Sequence, residues 1–128
     1  MRLVLREAKA LDMLRRADGL VSSELLAVAC RRTIDRLRIQ GLLSAEDAVR
    51  RLGIVTDWLE AIDLVLLRAA ILARASEPMP SPLGTLHALH LATALVWRDR
   101  VNHPLTLATH DAALGLAARA FGFAVIGL

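Results

Sequence analysis

The sequence predicts an α/β domain built on an open parallel sheet flanked by helices. Short apolar runs bounded by turn residues alternate along the chain with longer segments of helical periodicity, the order that gives a parallel sheet with helices packed on it. Hydrophobic residues make up 55% of the 128 positions and aromatic residues only 3%, so the core must be made of Leu, Ala, Val and Ile. Such a core suits helices that approach closely through small side chains. The length fits one compact domain over residues 1–128.

Each element follows from local signals. Apolar residues at positions 3, 4, 5, 8, 10, 11, 13 and 14 predict a helix over 1–16, ending before Asp18-Gly19. The alternation of Leu3 and Leu5 with Arg2, Val4 and Arg6 leaves a strand over 2–6 as the other reading. Leu20-Val21-Ser22 is short enough for a buried strand, and Ser22 or Ser23 then caps a helix to about Gln40, with Gly41 as its C′ residue. Ser44-Ala45-Glu46-Asp47 opens the next helix, whose acidic first turn complements the helix dipole and which reaches about Leu59 or Glu60. A strand is expected over 62–66 and a helix over 68–75. Pro78, Pro80 and Pro82 force a loop, because proline cannot continue a helix. A helix over 85–98, a strand over 105–109, a helix over 112–120 and a last strand over 124–126 complete the pattern.

Composition excludes several classes. No apolar run reaches the ~18 residues that span a bilayer. Arg2, Arg6, Glu7 and Lys9 are followed by nothing resembling a signal-peptide apolar region and cleavage site, so a cytoplasmic protein with no membrane partner is expected. One cysteine, Cys30, permits neither an intramolecular disulfide nor a thiolate metal cluster; it reads as a small buried hydrophobe. The net charge is +3, and residues 1–51 hold eleven Arg/Lys against seven Asp/Glu. A basic face of this kind attracts RNA or an acidic segment, although such charge runs commonly mark a solvated helix face. No glycine-rich phosphate loop and no Cys/His nucleophile motif occur.

Chemistry concentrates in the last third. His87, His90, Leu91 and Ala94 share one helix face by i, i+3, i+4, i+7 spacing, and Thr109-His110-Asp111 ends a strand, where ligands of open α/β sheets bind. The segment from Leu83 to Leu95, LGTLHALHLATAL, followed by Leu105-Thr106-Leu107-Ala108-Thr109-His110-Asp111, resembles the end of a PIN-domain nuclease of the VapC toxin type, in which a helix reading L-D-A-x-H-L-A-x-A-L precedes a strand ending in T-x-D. Residues 21–32, VSSELLAVACRR, resemble that family's S-S-E-L-L-x-V-E-x-R-R segment.

The resemblance runs from about Leu3 to Leu128. It implies a three-layer PIN-like fold whose first strand, which in the family carries V-x-x-D-x-S, is missing or replaced here. It also implies RNA cleavage by Mg²⁺ or Mn²⁺ held by about four carboxylates, since such hard cations prefer oxygen ligands and activate water on phosphate. Asp111 matches the T-x-D aspartate and is the catalytic and metal-site remnant, with His87 as the other candidate metal ligand. His87 stands where the family helix has its aspartate, and Ala29 where it has its glutamate. Glu24, five residues before Ala29, faces about 140° away around a helix and does not replace it.

Arg31, Arg32 and Thr109 are the candidate contacts to substrate or partner by the same resemblance. His90 matches a family histidine that is structural, and His110, next to Asp111, faces the opposite side if the strand continues. His103 precedes Pro104 in a loop and is expected in water. Trp58 and Trp97 are expected as core or dimer anchors. The functional expectation is a degenerate VapC-type protein that binds a homodimer partner, an antitoxin peptide or RNA, with cleavage weak or lost; the alternative is an active Mg²⁺/Mn²⁺-dependent endoribonuclease toxin.

Overall fold

The computed structural model describes residues 19–128, and the helix or strand expected within 1–16 lies outside the described residues. The order is β1 (Val21–Ser23), α1 (Leu25–Ile39), α2 (Ala45–Glu60), β2 (Asp63–Val65), α3 (Ala69–Ala75), α4 (Thr85–Val101), β3 (Thr106–Ala108), α5 (Ala112–Ala120) and β4 (Ala124–Ile126). The mixed α/β class is as the sequence predicts. The strands form two separate parallel pairs, β1 with β2 and β3 with β4, instead of one continuous ladder. The registers are Val21↔Asp63 and Thr106↔Ala124 at the first bridged positions. Among the described residues no helix is long and apolar enough to cross a membrane.

α1 and α2 make an antiparallel hairpin with its own core. Cys30 and Ile34 on α1 meet Ala48 and Val55 on α2, with Leu26, Leu52 and Leu59 extending the contact at the spacing that keeps one helix face inward. Burial there pushes the Cys30 thiol pKa up, and the residue behaves as a small apolar side chain. The turn between the helices needs Gly41, whose φ of 74° lies in the left-handed region. Ser44 caps α2 as expected, its Oγ accepting from the Asp47 N–H at 3.0 Å.

The start of α1 differs from expectation. Glu24 occupies the N-cap position without a side-chain cap, whereas Ser23 is the last residue of β1 and only 1% exposed. Its hydroxyl is engaged elsewhere, and the Glu24 carboxylate accepts from the Leu67 N–H at 3.3 Å, holding the exit from β2.

α4 is the central helix. Ala88, Leu91, Ala92, Thr93 and Leu95 are all buried, a distribution wider than one stripe, as required of a helix covered on several sides. On one side Leu91 and Leu95 pack with Leu114, Ala117 and Ala118 of α5 and with Phe123. Near its end, Arg98 donates to the Phe121 carbonyl at 2.6 Å and lies 4.3 Å over the Phe123 ring, fixing the α5–β4 turn. α4 runs past residue 98 and stops at Asn102, which adopts φ 50°. Trp58 and Trp97 are each half-buried, and His103 is exposed.

Gly127 closes the β3–β4 ladder next to the strand end that carries Asp111. Its φ is 99°, and a Cβ there would meet the Thr109 carbonyl oxygen at 2.6 Å, a backbone atom that cannot swing aside. Gly127→Ala is therefore expected to destabilise the domain by about 2 kcal/mol or more. Urea unfolding of the two proteins measures this; equal midpoints would show that the ladder end tolerates a side chain.

Candidate functional site

The C-terminal ends of β1 and β3 both meet the first half of α4. His87 and His90 lie one helical turn apart on that helix and reach the two different strand ends. His90 Nδ1 shares a hydrogen bond of 2.8 Å with Ser23 Oγ at the end of β1. His87 Nδ1 lies 3.7 Å from Asp111 Oδ1 beyond the end of β3. His87 and Asp111, which the sequence allows to cluster near a strand terminus, are thus brought together, and both side chains remain reachable, at 37% and 40% exposed.

Asp111 is held rigidly. It is the N-cap of α5, with Oδ1 accepting from the Leu114 N–H at 2.8 Å, and its own N–H donates to Thr109 Oγ1 at 3.0 Å. Thr109 is buried, and its Oγ1 accepting from the Asp111 N–H ties it to that turn. Oδ2 of Asp111 takes part in no hydrogen bond or ion pair among the described residues.

His90 is mostly buried. Burial first, and the neighbouring His87 second, lower its pKa to about 4, so its ring is neutral at pH 7. Ser23, a candidate cap of α1 by sequence, instead turns its hydroxyl to His90. The usable signal was alternation along β1, which puts Val21 and Ser23 on the same face, towards the helix that carries His90.

The remaining predicted residues are dispersed. Arg31 and Arg32 are exposed on α1, and Arg32 pairs with Asp35 at 2.8 Å. No polar contact joins either arginine to His87 or Asp111. Ala29 is half-buried on α1 and offers no donor side chain. His110 Nδ1–H donates to the Gly127 carbonyl, which leaves Nε2 buried with no hydrogen-bond partner among the described residues.

A partly exposed imidazole beside a carboxylate can hold a cationic or hydrogen-bonding group of a ligand, or pass a proton. It does not fit Mg²⁺ or Mn²⁺, which favour several oxygens. Among the described residues no three His, Cys, Asp or Glu side chains converge to hold a metal ion.

Two outcomes follow. A histidine with a depressed folded pKa binds its proton later than in the unfolded chain, so its contribution to stability is complete above about pH 6.5 and is lost as pH falls towards about 4. Relative to His90→Asn, wild-type stability should fall by up to about 3 kcal/mol across that window, measured by urea titrations at a series of pH values. Parallel profiles would show that the ring already titrates as in water. Asp111→Ala should cost about 1 kcal/mol through loss of the α5 cap, while Asp111→Asn should keep most of it; equal losses in thermal melts would assign the cost to charge. No family model matches the chain, and the curated proteins contain no match to it.

Proposed function

We propose that the chain is a degenerate PIN-like protein of the VapC toxin type that acts by binding, its metal-dependent RNA cleavage weak or lost. The observation that carries this reading is the composition of the pair at the strand end. Asp111 stands where the T-x-D pattern asks for an aspartate, and its neighbour at 3.7 Å is His87, where that pattern's helix supplies a second carboxylate. Ala29 leaves a third position without any donor. Mg²⁺ or Mn²⁺ would supply water activation and charge neutralisation in a full site; one carboxylate and one imidazole do not make that cage.

In this reading the two strand pairs are halves of one three-layer sheet. The backbone N–H and C=O groups of Val21 and Ser23 turn away from β2, and those of Thr106 and Ala108 turn away from β4, as the parallel bonding pattern requires. A central parallel strand would join those two edges. A protein of this kind works in the cytoplasm and binds a second copy of itself, a cognate antitoxin peptide or RNA, with Arg31 and Arg32 offering exposed positive charge to such partners.

The test is to rebuild the carboxylates. Ala29→Glu combined with His87→Asp should confer Mn²⁺-dependent cleavage of single-stranded RNA, and adding Asp111→Asn should abolish it. Cleavage of RNA by the unaltered protein with Mg²⁺, abolished by Asp111→Asn, would overturn the proposal.

A further inference from the structure

The outer edge of β2 opens into a cavity of about 270 Å³ between that strand, α3 and the second half of α4. Four consecutive residues, Asp63 to Leu66, line it. Alternation puts Asp63 and Val65 on one face of the strand and Leu64 and Leu66 on the other, so a cavity touching all four wraps the strand's edge instead of lying on one face. Asp63 and Val65 spend their backbone groups on β1, since the Asp63 N–H donates to the Leu20 carbonyl at 2.9 Å and the Val65 carbonyl accepts from the Glu24 N–H at 2.9 Å. The backbone groups of Leu64 and Leu66 consequently point outward along this edge.

The rest of the lining is apolar with charged ends. Ile71 and Trp97 form the wall, and Arg68 and Arg100 stand at the rim. Neither arginine side chain has an ion pair or hydrogen bond with a described residue, and the same holds for the Asp63 carboxylate. α4 begins beside the C-terminal end of β1, where His90 meets Ser23, and Trp97 and Arg100 come two to three turns later. α4 therefore runs against the strand direction, which places Arg100 towards the Asp63 end of the edge and Arg68 beyond the Leu66 end.

We infer that the outer edge of β2 receives an extended acidic peptide segment of a partner protein, added as a strand. Its backbone pairs with the outward groups of Leu64 and Leu66, an apolar side chain enters against Trp97 and Ile71, and flanking carboxylates meet Arg68 and Arg100. The cavity falls below the ~300 Å³ at which small-molecule sites begin, yet it holds an apolar side chain of a chain that continues past its mouth. Two arginines against one aspartate select negative charge in the occupant. The inference holds whether or not the chain descends from nucleases.

The experiment uses the whole chain carrying Trp58→Phe, so that Trp97 alone reports by fluorescence. A short peptide alternating valine and glutamate should change Trp97 emission saturably. Affinity should fall about tenfold or more with Arg68→Glu and Arg100→Glu together, and by as much when alternate peptide amides are N-methylated, with the protein's circular dichroism unchanged. The inference is overturned if the N-methylated peptide or a valine–lysine peptide binds equally well. Binding of single-stranded oligouridylate in place of the acidic peptide overturns it too, as does an unchanged emission with every peptide.

Discussion

α4 holds two otherwise independent strand pairs together. Each pair is a three-residue parallel ladder, too short to stand alone, and neither hydrogen-bonds to the other. What they share is one helix whose successive turns reach both strand ends, through His90 to Ser23 and through His87 to Asp111. The burial of Leu91 and Leu95 against α5 fixes the rotation of that helix, and the rotation decides where both histidines point. Site geometry is thus a consequence of core packing.

The pair at this strand end joins one imidazole to one carboxylate. Two carboxylates at 3.7 Å would repel by something on the order of 1 to 4 kcal/mol, depending on the screening, unless a cation or a shared proton intervened. Histidine in one of the places removes that cost. The neighbouring His90 is itself held uncharged by burial. The carboxylate that remains is anchored by an α-helix cap, a purely structural use of the same side chain. The residues at this strand end form a connected polar cluster that runs from the α5 cap through Asp111 to His87.

Much of this was readable in the sequence, for identifiable reasons. The α2 cap at Ser44, the Gly41 turn, the proline loop and the last helix each depend on local signals within a few residues, and each falls within a residue or two of expectation. A cluster of His87 and Asp111 near a strand end was allowed by the sequence, but periodicity alone does not bring the two together. What was not accessible required tertiary information. Ser23 has two uses for its hydroxyl, a helix cap or a buried partner, and only the approach of α4 selects the second. The division of the strands into two pairs is likewise invisible to periodicity, which finds strands but not their neighbours. Thr109 is a candidate contact by resemblance alone, and its acceptance of the Asp111 N–H belongs to the folded turn after β3.

The two kinds of strand edge carry different protection, and the difference bears on which surfaces engage partners. On the inner side, Ser23 is almost fully buried and its hydroxyl is occupied, so the edge of β1 is drawn into the protein interior at its C-terminal end. On the outer side, β2 faces a cavity rimmed by Arg68 and Arg100, neither neutralised by a described residue. Charges at a strand edge discourage indiscriminate pairing with apolar strands, because an unmatched guanidinium would have to be stripped of water. The same charges favour a strand that brings carboxylates of its own. An edge guarded in this way rejects most sequences and accepts few, so the arginines that protect the edge also set the chemistry of what can dock there.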